Sequence, residues 1–393
     1  MASPTRSMKS SRIAVIGGGI NGVMTAWALV NAGAKVTLFE AGQLMSQTSC
    51  ASTKMLHGGL RYLAQFKFSM VRESLQERRW WQSQNTGLVD PIAIVVPIRN
   101  YDVMTWLLVW CGVKLYDRLA SGSGFPTSRW VNRNQLRQRF PTLKAGGLMG
   151  GWEYWDAQMQ DQALGLWAVR QAIAAGLEIR EDSRVQSMTT DGSLTLSGSK
   201  GERITFDLIV NAAGPWAESL LDASLIPHEI GLTLIRGTHL LVSAVPSAGL
   251  ALPHKDGRLI FFLPYQARGL LGTTEEVQSI DDPIKASSSE VDELLSCYAD
   301  WFQEPLRPES IKEVFSGLRP VVRQKKKSLS SASREAVIES RGRLITVWGG
   351  KWTTSRRLGL SVAGVCDQLL AVGKSEATSK VVNASIHEAS HEK

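Results

Sequence analysis

RIAVIGGGINGVMTAWALVNAGAKVTLFE, residues 12–40, is the stretch that decides the fold. RIAVI (12–16) is a short apolar run of strand type, broken by Gly17, Gly18 and Gly19. Ile20, Val23, Trp27 and Val30 then recur at helical spacing as far as Asn31. Ala32-Gly33-Ala34 ends that helix, and KVTLF (35–39) is a second strand closed by Glu40. Strand, Gly17-x-Gly19-x-x-Gly22, helix, strand and a terminal acid make a dinucleotide-binding βαβ unit. Gly17 permits the tight turn, Gly19 lets backbone approach a pyrophosphate, and Gly22 lets the helix lie against the strand. The helix N-terminus, with Ile20 and Asn21, faces the negative charge. Glu40, followed by Ala41, suits ribose hydroxyls and would repel a 2′-phosphate.

This turn alone does not distinguish FAD from NAD. Two later elements do. DLIVNAAGPWA (207–217) and LITVWGGKWTT (344–354) are further strands ending in small residues and glycine. Both allow close approach to a flat cofactor, and an NAD enzyme needs only the first unit. A helix beginning after Gly349-Gly350 places positive dipole beside the edge of a flavin that gains charge on reduction. The cofactor is therefore read as FAD.

The pattern predicts an α/β protein, a Rossmann-type FAD-binding domain with an inserted β-rich substrate domain. The FAD-binding parts are 12–90, 145–225 and 336–372. The substrate-binding parts are 91–144 and 226–335, and 1–11 and 373–393 are expected as flexible tails. Between these anchors we expect a helical start at Ala51–His57 and helices at Ser69–Trp81 and 161–175. A strand at 92–98 carries Pro97, which places it at a sheet edge. Strands are expected at Leu177–Arg180, Arg184–Thr190, Ser193–Leu196 and Ile204–Val210, with Asp191-Gly192 as a hairpin turn. Leu232–Ile235, His239–Val242, Leu259–Leu263 and Leu270–Gly272 follow as strands, then a helix at Ser289–Phe302 and another at Ser355–Leu370.

Of 393 residues 44% are hydrophobic and 20% charged, as in a soluble globular protein. The net charge of +8 fits nucleic acid, an anionic membrane face or an anionic substrate. No nucleic-acid-reading motif is present, so that partner is excluded. Arg323, Lys325, Lys326 and Lys327 concentrate some of the charge, either as a solvated loop or as a contact with anionic headgroups. Cys50, Cys111, Cys297 and Cys366 match no metal or redox spacing, so no metal is expected. Reduced thiols and no secretory signal point to the cytoplasm. VMTWLLVWCGVKL (103–115) falls short of the roughly 20 apolar residues of a spanning helix. It reads first as a core helix and second as one lying in the bilayer interface, peripheral on the inner face of the membrane.

The chemistry concentrates in TSCASTKMLHGGLRY (48–62). Its hydroxyls and backbone donors suit a pyrophosphate and a flavin rim. A lone histidine is more often structural, but His57 sits in a glycine-rich loop beside Arg61 and Tyr62, and a general base is an equal reading. Arg61, Arg236 with His239 (RGTH), Arg319 (GLRP) and Lys351 (GGK) are cations in turn contexts. If they converge they bind a phosphate or carboxylate.

Taken together, VIGGGINGV (15–23), TSCASTKMLHGGLRYL (48–63), VNAAGPWA (210–217), RGTH (236–239), LLGTTE (270–275), FSGLRPV (315–321) and VWGGKWTT (347–354) resemble the FAD-dependent glycerol-3-phosphate dehydrogenase and oxidase family, within the D-amino-acid-oxidase-like group. The resemblance runs over roughly residues 12–370. It implies a glutathione-reductase-like FAD-binding domain and FAD held without a covalent link. It implies oxidation of sn-glycerol 3-phosphate to dihydroxyacetone phosphate, with electrons passed to a quinone or to oxygen. His57, Arg319 and Lys351 are then the catalytic set, and Arg61, Tyr62, Arg236, His239, Thr274, Arg319 and Lys351 the substrate set. The cofactor set is Gly17, Gly19, Ile20, Asn21, Gly22, Glu40, Ala41, Thr48, Ser49, Thr53, Lys54, His57, Gly58, Val185, Ala213, Gly214, Trp216, Gly350, Lys351, Trp352 and Thr353. A phosphorylated small molecule, an anionic membrane surface and a second copy of the chain are the expected partners. The alternative is a flavin oxidase or dehydrogenase of an amino acid or 2-hydroxy acid; a degenerate flavin-binding module ranks last. Three features depart from the family pattern. Long members carry a C-terminal helical domain after GGKxTT, which is expected to be absent here. Trp352 stands where the family has a smaller apolar residue, and Cys50 and Thr53 replace small Ser-type residues.

Overall fold

A computed structural model describes residues 8–99, 103–122, 124–198, 201–324, 336–372 and 380–383. Strand Arg12–Ile16, helix Ile20–Asn31 and strand Lys35–Phe39 form as the pattern requires. Arg12–Ile16 lies parallel between Lys35–Phe39 and Leu208–Asn211, with Ile13 opposite both Val36 and Leu208. Leu344–Trp348 continues the parallel run beyond Leu208–Asn211, and Glu178–Arg180 extends the other edge. Antiparallel Val337–Arg341 and Lys380–Asn383 complete seven strands. Residues of the central strand are buried on both faces, as parallel strands must be. Ile13 and Val15 pack with helices Ile20–Asn31, Asp161–Ala174 and Ser355–Val372. Ala14 and Ile16 pack with Val185, Leu194 and Phe206, on or beside a small three-stranded sheet.

The second sheet has ten strands. Its long members pair in sequence-distant couples. Ile230–Val242 runs antiparallel to Ile311–Gln324, and Val89–Arg99 antiparallel to Leu148–Met159. On one face Leu294, Cys297 and Trp301 of helix Ser288–Trp301 meet Val95, Leu240 and Phe262. On the other, Val71 and Leu75 of helix Phe68–Ser83 and Tyr116 of helix Val103–Leu119 meet Ile94, Tyr154 and Leu263.

Several expectations need correction. Val89–Arg99 is an interior strand. Gly249–Pro253 pairs with it at Ile94 and Val95, so Pro97 lies beyond that ladder, while on the other side it stands opposite Gly151. No helix starts at Ala51–His57. Thr48–Cys50 is a 3₁₀ turn, Lys54 takes a left-handed φ of 58°, and Met55–Leu56 is a strand of the large sheet. Ile204–Val210 is two strands in different sheets, Arg203–Thr205 and Leu208–Asn211. Leu148–Met159, inside the segment assigned to the FAD-binding domain, belongs to the ten-stranded sheet. Lys380–Asn383, expected in a tail, pairs with Val337–Arg341, and Met8 is buried. The core reading of 103–115 holds for one face only: Val113 is buried, with Val109 and Leu115 packed beside it, whereas Trp106, Leu107, Leu108 and Trp110 are exposed. Lys325–Lys327 lie outside the described residues.

Candidate functional site

Three parallel strands end side by side, and each ends in a glycine turn: Gly17–Gly19, Ala212–Gly214 and Gly349–Gly350. From Arg12–Ile16 the chain moves to Lys35–Phe39 on one side, while Leu208–Asn211 enters on the other. That reversal opens a crevice at the carboxyl ends of the strands, where open α/β sheets bind ligands. Gly17 has φ of 108°, and a Cβ on it would lie 2.6 Å from the Ala212 carbonyl oxygen. A Cβ on Gly22 would lie 1.9 Å from the Gly17 carbonyl oxygen, so helix and turn touch only because both are glycine.

Gly19 differs from these two. It N-caps helix Ile20–Asn31 without a side-chain capping bond, and a Cβ there would meet only Ser49 Oγ, at 3.1 Å. Ile20 N–H donates to that Ser49 oxygen at 2.9 Å. Glu40 accepts from Gly18 N–H at 2.6 Å and Gly42 N–H at 2.9 Å, which holds its carboxylate against the turn beside Ala41. Asn21 Nδ2 donates to Gly349 O at 3.4 Å, and Trp352 Nε1 donates to Ser49 O at 3.0 Å. Trp81 Nε1 donates to Thr353 O, and Gly350 presses on Asn21. Thr48 Oγ1 donates to Leu318 O at 2.9 Å, tying this loop to the strand that carries Arg319. Gly214 takes φ of 57°, leading Ala213 into the 3₁₀ turn that holds Trp216. Val185 is buried under Phe39 and Phe206. A helix N-terminus, a close-approach glycine and a fixed carboxylate fit the pyrophosphate and ribose of FAD.

Lys54 stands differently. Its ammonium bonds both Asp161 oxygens, at 2.8 and 3.0 Å, and the Cys50 carbonyl. Ser52 Oγ donates to the same carboxylate at 2.7 Å. Lys54 therefore ties the loop to the start of helix Asp161–Ala174.

His57 follows strand Met55–Leu56 and is half-buried. The next N–H, that of Gly58, donates to Tyr116 Oη at 2.9 Å and Asp156 Oδ1 at 3.2 Å. Arg78 Nη1 donates to the same Asp156 oxygen at 2.6 Å, and all three side chains are buried. Burial pushes the Asp156 carboxyl up, against the pull of Arg78. Burial and then the Asp156 charge push the Tyr116 phenol well above its ordinary range. A Cβ on Gly58 would lie 2.4 Å from Tyr116 Oη, so glycine is required where the backbone meets this buried group.

The cationic residues divide. Lys351 Nζ lies 4.4 Å over the Tyr62 ring, which brings the GGK turn onto the HGGLRY loop. Arg319 Nη2 donates to Thr273 Oγ1 at 3.0 Å and Thr274 O at 3.1 Å, with its side chain 36% exposed. The Arg61 side chain lies outside the described residues. His239 is 1% exposed, with Nε2 at 3.0 Å from Thr53 Oγ1 and its ring stacked on Phe315. Burial, then the charges of Arg319 and Lys54, push its pKa well below the usual 6.5, so it is neutral.

Arg236 and Thr274 are engaged elsewhere. Arg236 pairs with Glu290 at 2.8 Å, and Thr274 Oγ1 donates to Glu290 at 2.7 Å. Glu290 is fully buried; burial raises its carboxyl, but the Ser287 backbone, Arg236 and the two threonines outweigh this and hold it at about 2. Both residues are thus tied to Glu290 on helix Ser288–Trp301. Glu290 was readable in part, because Ser287-x-x-Glu290 is a capping box. Asp161, Arg78, Tyr116 and Asp156 had no local signal, since each acts on a partner far away in sequence.

The chain matches the FAD dependent oxidoreductase family over residues 12–356. It is 30% identical to an aerobic glycerol-3-phosphate dehydrogenase of Escherichia coli, over 89% of this chain and 72% of that protein. It is 33% identical to a D-erythritol 1-phosphate dehydrogenase of Brucella abortus, over 88% of this chain and 71% of that protein. Among solved structures, a glycerol-3-phosphate dehydrogenase from Bacillus halodurans complexed with FAD superimposes with a TM-score of 0.72 at 23% identity, covering 94% of this chain and 66% of that one. A glycine oxidase from Geobacillus kaustophilus shares the fold, with a TM-score of 0.68 at 20% identity, covering 94% of this chain and 97% of that one.

Proposed function

The chain belongs to the FAD dependent oxidoreductase family, and from that membership we propose that it oxidises sn-glycerol 3-phosphate at C2 to dihydroxyacetone phosphate. FAD, when bound, supplies the hydride acceptor. The N-terminal end of helix Ile20–Asn31 and the Glu40 carboxylate hold its ADP half. The N-terminus of helix Ser355–Val372, after Gly350–Thr353, favours negative charge at the flavin edge.

The observation that carries the substrate reading is the meeting of two distant segments. Lys351 sits on Tyr62, in the loop that contains His57, while Thr48 ties that loop to the Arg319 strand. Arg319 and Lys351, with Arg61, bind the phosphate and so fix C2 in place, which is the positioning contribution. His57 takes the C2 hydroxyl proton as hydride leaves. The 33% identity to the D-erythritol 1-phosphate dehydrogenase favours a longer polyol phosphate as the second reading.

Electrons leave for a membrane quinone, with oxygen as the alternative. No helix among the described residues is long and apolar enough to cross a membrane. Helix Val103–Leu119 instead offers Trp106, Leu107, Leu108 and Trp110, with Phe66 and Phe68 also exposed, and this side rests on the bilayer surface. Turnover with an artificial dye acceptor tests the reading. Glycerol 3-phosphate is oxidised, glycine and D-amino acids are not, and His57→Ala lowers the rate by about 10²–10⁴. Full activity of that variant, or preference for an amino acid, overturns it.

A further inference from the structure

Five of the chain's tryptophans form one connected set beside the cofactor cradle. Trp352 and Trp81 have ring centroids 5.1 Å apart, and Trp81 lies 4.9 Å from Trp80 and 6.3 Å from Trp167. Trp27 closes the set, 6.2 Å from Trp80 and 6.0 Å from Trp167. We propose that this set is an outward path for single oxidising equivalents, leading from the cofactor site to the protein surface.

A tryptophan-rich core needs only shape, so the argument rests on where the set begins and ends. It begins inside the cradle. Trp352 Nε1 donates to Ser49 O, and Trp81 Nε1 donates to Thr353 O. Both acceptors belong to the segments that line the cofactor site. Trp81 is wholly buried, whereas Trp27, Trp80 and Trp167 are half-buried and reach solvent. Indole is among the most readily oxidised side chains. A cation on Trp81 has no water around it, while one on an outer indole is solvated and loses its N–H proton to water. The charge therefore favours the outer end.

The electrons balance as follows. Trp352 gives one electron to the light-excited cofactor, which keeps it. Trp81 refills Trp352, Trp167 refills Trp81, and Trp27 refills Trp167. The outermost indole releases a proton to water; a soluble thiol then gives that indole an electron and a proton together, and two of the thiyl radicals so formed couple to a disulfide. The proposal rests on FAD binding and not on the identity of the substrate, so it stands or falls separately from the polyol phosphate reading.

The experiment illuminates the FAD-loaded protein with blue light in the absence of oxygen. It follows the transient absorption of the tryptophan radical and the net bleaching of the flavin with added thiol. The wild type shows a long-lived tryptophan radical and thiol-dependent bleaching. Trp81→Phe loses both, and Trp81→Tyr retains part. If Trp81→Phe fails to load FAD, the double change Trp27→Phe with Trp167→Phe is read instead, with loss of the long-lived radical expected. A wild type that forms no tryptophan radical overturns the proposal, as does a loaded Trp81→Phe or double variant that behaves like wild type.

Discussion

His239 is neutral first because it is buried, with the charges of Arg319 and Lys54 adding to the effect. Phe315 covers one face, Thr53 takes Nε2, and Arg319 and Lys54 both oppose protonation. Its pKa in the folded chain lies well below 6.5, so between the two values the unfolded chain binds a proton that the folded chain does not. Stability therefore falls as pH drops below 6.5. The decline of the melting temperature between neutral pH and mildly acid pH should be smaller in His239→Gln than in wild type; equal declines count against this placement. The residue scale was also the most legible in the sequence. His57, Lys351 and Arg319 stand out because glycine or proline flanks them. Arg236 carried the same signal, but Glu290, far along the chain, pairs with it and takes the Thr274 hydroxyl as well. Which acid each cation meets, Glu290 for Arg236 and Glu275 for Arg319, depends on residues distant in sequence, and no local pattern reveals it.

At the scale of elements, the glycine turn leaves no slack. A methyl on Gly22 meets the Gly17 carbonyl at 1.9 Å, and backbone cannot yield there without lifting the helix off the strand. Gly22→Ala is expected to abolish FAD retention on purification, read as loss of the yellow colour at unchanged far-ultraviolet circular dichroism. A variant that keeps full FAD occupancy contradicts the geometry. This βαβ unit was readable because all its determinants lie within residues 12–40. The long strands Leu148–Met159 and Ile311–Gln324 were not. Gly150, Gly151 and a charged alternation weaken the first, and a proline and several charges the second. Each is specified by a partner strand rather than by its own composition. The helix at 103–119 was recognisable, but its exposed face was not. An apolar run has the same sequence whether it meets the interior or a partner outside the chain.

The whole molecule joins a nucleotide sheet with glycine turns to a ten-stranded sheet, and the loop at 48–62 runs between them. The exposed Trp106 and Leu108 belong to the element that also supplies Tyr116 to the backbone beside His57. Contact with a membrane on that side would lie close to the redox site, as a quinone acceptor requires. Sedimentation with anionic vesicles at low salt is expected, and is reduced in Trp106→Ser with Leu108→Ser; absence of binding at low salt removes the membrane contact from the account. The central claim, that the protein passes hydride from an anionic polyol to FAD, is tested most directly without oxygen. Glycerol 3-phosphate is added to the purified yellow protein while the flavin absorption band is watched. Bleaching by glycerol 3-phosphate, but not by glycerol or an amino acid, is the predicted result. A band that persists with the polyol phosphates, or fades with an amino acid instead, contradicts it.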